Sequence, residues 1–238
     1  ANLRYVDRVA LFELGPLILA RGASLPDEPR RLGLLMTGPS AGTSWRGGPP
    51  PSLDFYDAKG AVETLLAHLA VPDVAWRPDP HPSMHPGRTA AIRVGGAHLG
   101  HVGELHPRVL QHWGLEDRSV AAADLDLDAL QAATVSGTPI APFSAFPPVH
   151  QDLAVVIDDA RTAAEVAEVI RAAGGPLLVG LDLFDVYRGP QVGPGRKSLA
   201  WSLCFQAADR TLESRDADKA RARIVGALQA RLGADIRQ

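Results

Sequence analysis

Apolar positions recur along this chain in two rhythms, and the change from one to the other divides it. In the first part short, nearly continuous apolar runs dominate. Arg8-Val-Ala-Leu-Phe-Glu-Leu14 reads as a strand ended by Gly15-Pro16, with Leu17–Ala20 as its partner or continuation, and Arg31–Thr37 reads as a second strand. A Gly- and Pro-rich loop over 38–52 follows. Val62, Leu65, Leu66 and Leu69 then recur at helical spacing behind Asp57, which serves as a plausible N-cap. Val74–Arg77 is a short strand. Ala90–Val94 and Ala97–Val102 flank Gly95-Gly96, a two-residue turn signal that predicts a hairpin. Pro107–Trp113 is a short helix with Pro in its first turn, and Val120–Leu125 is a last strand leading into Asp126–Ala133. Hairpin-connected strands with few helices predict an antiparallel sheet with helices on one side.

Ser136–Val149 carries four prolines and no charge, the composition of an extended connector. Its first part, 136–143, is taken as a linker between a domain over 1–135 and another over 144–238. In the second domain the rhythm is regular. Asp152–Ile157 is a strand, and Thr162-Ala-Ala-Glu165 is a capping box for a helix lined by Val166, Val169, Ile170 and Ala173. Leu177–Arg188 and Arg196–Gln206 form a hairpin around a Gly/Pro loop. Ser214 is expected to cap a helix reaching about Leu232, and Ala234–Arg237 adds a terminal strand. The order βαββαβ is that of a ferredoxin-like split βαβ unit, with both helices on one face of a four-stranded sheet. The overall expectation is an α+β chain.

Strand alternation decides what the open face of that sheet shows. Leu153, Val155 and Ile157 face the helices, as do Phe184 and Val186, and Leu199, Trp201, Leu203 and Phe205. The open face then carries Asp152, Ala154, Asp185, Tyr187, Ser198, Ala200 and Ser202, with Arg188, Arg196 and Lys197 at the rim of the loop. The hairpin is expected at the centre of the sheet. An exposed Tyr can stack a nucleobase at about 1–3 kcal/mol while Asp and Ser read its polar edge. A Tyr half-covered by a neighbouring domain, beside an ordinary surface ion pair, is the other reading.

Composition narrows the choices. A hydrophobic fraction of 46% and a net charge of −3 describe a globular chain with no broad basic surface for duplex DNA, so any nucleic acid binds at a local site. The single cysteine, Cys204, excludes an internal disulfide and a CxxC zinc site, and its place in an apolar strand predicts a buried structural thiol. No apolar run approaches the roughly 18 residues of a membrane span and no signal peptide is present, so no membrane partner is expected and the location is read as cytoplasmic. The chain starts without an initiator Met, which suggests part of something longer. Seven of the eight histidines fall between His68 and His112. Pro82 and Pro86 keep His81 and His85 off one helix face, and strand alternation places His98 and His101 on opposite sides. A metal-dependent enzyme built on the 81–106 stretch is therefore the least favoured function.

Several blocks resemble a known family. Gln151-Asp-Leu-Ala-Val-Val, Leu183-Phe-Asp-Val-Tyr-Arg-Gly189, Arg196-Lys-Ser-Leu-Ala200, Asp209-Arg-Thr-Leu212 and Ile236-Arg237 are similar, in order, to the ferredoxin-fold anticodon-binding domain of the bacterial phenylalanyl-tRNA synthetase β subunit. Leu11-Phe-Glu-Leu-Gly15, Asp54–Gly60, Met84–Ala90 and Gly100–Pro107 resemble the non-catalytic, class II synthetase-like domain of the same subunit, here in truncated form.

The resemblance implies that Tyr187 stacks on an anticodon base of phenylalanine tRNA, that Asp185 and Ser198 hydrogen-bond nearby, and that Arg188, Arg196 and Lys197 meet phosphates. It implies aminoacylation by an α subunit using ATP and Mg²⁺, in a heterotetramer of two α and two β subunits, with no catalytic residue, cofactor or metal in this chain. It also implies that Ala1 falls after the family's long interface helix and its N-terminal tRNA-binding and editing modules. Gln151 departs from the family, which usually has Arg there, so a basic contact is expected to be missing. A docking module without RNA contact remains the alternative.

Overall fold

The computed structural model describes residues 6–22, 24–135 and 144–237. The expected linker over 136–143 lies outside them. The chain divides into two compact units, Ala1–Pro139 and Ile140–Gln238.

The first unit is built on a six-stranded antiparallel sheet in the order β1-β4-β8-β7-β6-β5. Its strands are β1 (Val9–Pro16), β4 (Arg30–Thr37), β5 (Val74–Pro78), β6 (Met84–Val94), β7 (Ala97–Leu105) and β8 (Val120–Asp126). A small hairpin of β2 (Leu19–Arg21) and β3 (Ser24–Asp27) separates β1 from β4. Leu17–Ala20 thus contributes to a separate ribbon, an element too short and too weakly alternating to be read from sequence. Gly95 and Gly96, at φ of 54° and 86°, make the β6–β7 turn as their sequence requires.

Helix α1 (Phe55–His68) begins three residues earlier than expected. Asp54 is the N-cap and accepts from the amides of Tyr56 and Asp57, while Asp57 is the third helical residue and its carboxylate accepts from the Asp54 amide at 2.8 Å. The two aspartates form a capping box in which Asp54, and not Asp57, is the N-cap. Val62 and Leu66 of α1 pack on Ile92, Leu99, Val102, Ala123 and Leu125, so the helix covers one face of the sheet. Two short helices, α2 (Pro107–His112) and α3 (Leu127–Ala133), follow β7 and β8.

The second unit has the βαββαβ order predicted for it. Strand β9 (Val149–Asp158), helix α4 (Ala163–Gly174), strands β10 (Leu178–Tyr187) and β11 (Arg196–Phe205), helix α5 (Ser214–Leu232) and strand β12 (Asp235–Arg237) make a sheet in the order β10-β11-β9-β12. Helix α4 opens on the predicted Thr162–Glu165 capping box. Helix α5 starts at Ser214, which is its first helical residue, with Glu213 at the cap position making no side-chain cap bond. Leu153, Val155, Ile157, Leu199, Trp201, Leu203 and Phe205 form the core with Val166, Ile170, Ile224 and Leu228 of the two helices. Residues ahead of β9 belong to this unit as well. Ser144 Oγ donates to the Ala207 carbonyl at 3.1 Å, and Gln206 Nε2 donates to that of Phe146.

Two expectations about the hairpin change. It is not the central pair, because β10 is an edge strand and the sheet's middle is β11 and β9. Phe184 does not face the helices either. The register steps from Leu183 opposite Trp201 to Asp185 opposite Ala200, which leaves Phe184 as the extra residue of a β-bulge, 59% exposed. Leu183 takes the helix-side place that strict alternation would have assigned to Phe184.

Candidate nucleic-acid interface

The bulge at Phe184 restores the parity of the three residues beyond it. Tyr187 lies directly opposite Ser198, Asp185 opposite Ala200 and Asp182 opposite Ser202. Since Leu199, Trp201 and Leu203 point into the core, these residues share the face away from the helices. Register across β11 and β9 adds Asp152, Ala154 and Val156 to that face, and β12 adds Asp235 and Arg237.

Accessibility on this face is uneven. Asp185 is exposed and makes no hydrogen bond or ion pair among the described residues. Tyr187 is half-buried, with its ring against the backbone of Gly189. Ser198 is only 6% exposed, although it belongs to the open side. The β10–β11 loop accounts for the difference. Its short helical turn, Pro190–Val192, packs on β11, and Val192 is buried at 7% exposure.

The three rim cations are all engaged. Arg188 Nε donates to Asp159 Oδ1 at 2.9 Å while its guanidinium stays largely in solvent. Arg196 pairs with Asp235 at 2.6 Å and donates to the Val156 carbonyl at 3.1 Å. Lys197 departs from its expected place. It alternates onto the helix side, its side chain is 9% exposed, and its ammonium donates to the Asp159 carbonyl at 2.8 Å. A rim phosphate does not reach an ammonium held in this way. The Asp159 carboxyl is kept below the usual carboxylate range, first by the Arg188 hydrogen bond and further by the charges of Arg188 and Lys197. Arg188, Arg196, Asp159 and Gly189 line an open concavity of about 470 Å³ at the loop.

Gln151 occupies the helix side of β9, opposite Leu203, and its Nε2 donates to Asp218 of α5 at 2.8 Å. The position where the resemblance led to an expected Arg therefore ties β9 to a helix, on the side away from the open face. Cys204 sits on the open side of β11, half-buried, where burial and the nearby Asp182 push its thiol pKa up. An aromatic ring, a free carboxylate and two guanidiniums, with no activated nucleophile beside them among the described residues, suit recognition rather than bond-making.

In the first unit the histidines cluster in a way the sequence did not suggest. A register shift between Ile92 and Arg93 leaves Leu99 as the extra residue, so His98 and His101 fall on the same face with ring centroids 4.7 Å apart. His81 lies tilted against His101 with ring centroids 4.8 Å apart, and His101 Nε2 pairs with Asp79 at 2.9 Å. Desolvation and the neighbouring imidazole lower the pKa of both His81 and His98. Among the described residues, however, no group of three or more His, Cys, Asp or Glu side chains is placed to hold a metal ion. The metal-enzyme reading thus finds no support there. Nor is any described helix long and apolar enough to cross a membrane.

Sequence reasoning missed Asp159, Gln191, Val192 and Arg237 as parts of the interface. Alternation in the terminal strand could have placed Arg237. No sequence signal brings a loop residue over the sheet.

Known protein families match both units. Residues 2–127 match the family described as "Phenylalanyl tRNA synthetase beta chain CLM domain", and residues 144–237 match the "Ferredoxin-fold anticodon binding domain". The phenylalanine–tRNA ligase β subunit of Symbiobacterium thermophilum is 44% identical over 98% of this chain, and that of Moorella thermoacetica is 44% identical over 99%. The corresponding subunit of Bifidobacterium longum is 37% identical over 98%. The chain spans 26%, 29% and 30% of the lengths of these relatives. With a match to one domain over more than half its length and to a second over most of the remainder, the chain belongs to the phenylalanyl-tRNA synthetase β-chain family.

Proposed function

We propose that this chain is the tRNA-contacting part of a phenylalanine–tRNA ligase β subunit, and that residues 144–238 bind the anticodon of phenylalanine tRNA. One observation carries the reading. Tyr187 and Ser198 are cross-strand partners with Asp185 on the same face, in the unit that matches an anticodon-binding family. Tyr187 stacks on a base, Asp185 and Ser198 contact its polar edge, and Arg188 and Arg196 lie where the flanking phosphates pass. Lys197 supports Asp159 and through it holds Arg188 in place.

On this reading residues 1–135 dock rather than catalyse. The edge strand β1 leaves Leu11, Phe12 and Leu14 exposed, and Ile18 and Leu25 beside it are exposed as well. Such an apolar set on an edge strand favours a protein partner. That partner is the α subunit, which activates phenylalanine with ATP and Mg²⁺ and charges the tRNA. The assembly has two α and two β subunits and works in the cytoplasm. The 238-residue chain contributes no catalytic residue, metal or cofactor of its own.

Titration of the chain with the anticodon stem-loop of phenylalanine tRNA, alongside a stem-loop of altered anticodon, tests the reading. Tighter binding of the native loop is expected. Equal affinity for the two would remove the claim of anticodon recognition.

A further inference from the structure

Ser198 is buried on a face that has no helix over it, and the β10–β11 loop explains why. The loop leaves β10 after Tyr187 and enters β11 at Arg196, which lies opposite Asp158. Gln191, at its centre, accepts a hydrogen bond from Arg237 through Oε1. Arg237 lies opposite Ala154, which in turn lies opposite Ala200. The loop therefore starts at the level of Arg196 and reaches back to that of Ala200, passing over Ser198 and Val156. Val156 and Val192 are buried at 8% and 7% exposure, outside the core that the helices form.

The loop is tied at three points, one of them the Gly195 carbonyl, which accepts from the Asp159 amide at 2.8 Å where the loop enters β11. Arg188 is held by Asp159 at its base, and Gln191 is held by Arg237 at its tip, on the opposite edge strand of the sheet. Between tip and β11, Gly193 and Gly195 stand at φ of +81° and +71°, and a side chain at either would meet nothing within 4 Å. Gly195 is held by its bond to Asp159, whereas the one backbone bond of Gly193, to the Pro190 carbonyl, lies within the loop, so Gly193 is where the tip can turn without breaking packing. The tip, by contrast, rests on one small apolar contact and one exposed polar bond.

We infer that residues 188–195 are a strap, closed here over the base-contacting face and fastened by the Gln191–Arg237 hydrogen bond, which RNA must lift to reach Ser198. The inference rests on the anticodon reading for its ligand. The strap itself is a property of the free chain. Closed, it shields Ser198 and Val156 from water. Open, it frees the Tyr187–Ser198 pair and the guanidinium of Arg237, so that affinity for the anticodon loop includes the cost of opening.

Thiol labelling and RNA titration test this together. In a Cys204→Ser, Ser198→Cys chain, the new thiol should react slowly with iodoacetamide. Adding Gln191→Ala should speed the reaction by about three- to tenfold, the weight of one exposed charge-assisted hydrogen bond. Gln191→Glu, which converts the clasp to an ion pair, should slow it. In the otherwise natural chain, Gln191→Ala should tighten binding of the anticodon stem-loop by a similar factor. Labelling rates that ignore both substitutions would overturn the strap while leaving RNA recognition intact. Equal RNA affinity of the natural and Gln191→Ala chains would overturn its role in gating. Rates that shift as expected, with no stem-loop bound by either chain, would support the strap and sink the anticodon reading instead.

Discussion

A Cβ atom on Gly189 would stand 2.3 Å from the hydroxyl of Tyr187, so the Tyr187 ring fills the space that any other residue at 189 would claim. The backbone of Gly189 is fully extended, a conformation open to every residue, and the requirement for glycine is therefore steric. The ring proposed to stack on a base is seated by the first turn of the loop covering that face.

Gly189→Ala should displace the ring tip, which is the free end of a flexible side chain. Thermal stability should change little, because the ring can swing outward. Anticodon stem-loop affinity should fall part of the way toward that of Tyr187→Ala, which loses about 1–3 kcal/mol of stacking. A Gly189→Ala chain that binds as well as the natural one would show that the seat does not matter.

Gln151→Arg introduces the residue that the family resemblance led us to expect there. Because Gln151 faces α5 and binds Asp218, an Arg there should form a helix-to-strand ion pair and raise stability by at most ~1 kcal/mol. Stem-loop affinity should stay within experimental scatter. A clear rise in affinity, measured by the same titration, would place residue 151 in contact with RNA.

Lys197→Met separates a phosphate contact from a structural cation. The Lys197 ammonium is committed to the Asp159 carbonyl, so its loss should cost on the order of 1 kcal/mol in a urea unfolding curve. The salt dependence of RNA binding should keep its slope. A slope shallower by about one counterion would identify Lys197 as a phosphate contact.

The first unit should lose stability in mild acid. His81 and His98 have folded pKa values below 6.5, their ordinary value, because partial desolvation and the adjacent His101 oppose protonation. In the unfolded chain they take up protons first as pH falls through about 6.5, so stability present above that pH is lost on acidification until the folded groups titrate too. Asp79 and Asp124 work against the shift, and Arg93 adds to it at His98. Replacing His81 and His98 with Gln should flatten unfolding midpoints between pH 7 and 5. A natural chain already flat over that range would remove the effect.

Much of this molecule could be read from residue order. Short-range rules acted alone where the Thr162–Glu165 box opens α4, where Gly95-Gly96 turns a hairpin, and where Leu199, Trp201, Leu203 and Phe205 alternate into a core. Asp185, Tyr187 and Ser198 were placed on one face because the pleat repeats every two residues. Repetition is also where sequence reading failed. Single extra residues at Phe184 and Leu99 reset the alternation, turning Phe184 outward and bringing His98 and His101 together. A bulge carries no compositional mark here, since both residues are ordinary strand formers. Lys197 shows a second limit. Its charge suggested solvent, but its strand position placed it on the helix side, and the Asp159 carbonyl satisfied its ammonium.

The sequence by itself determined the element order of the second unit and, away from the two bulges, which side chains share a face, because these follow from periodicity and turn chemistry within a few residues. Only the tertiary structure decided which of those side chains are free. Whether Ser198 meets water depends on Gln191 reaching Arg237, residues 46 positions apart, and on Val192 finding an apolar seat on the sheet. Such contacts are set by how a loop packs, which no local pattern encodes.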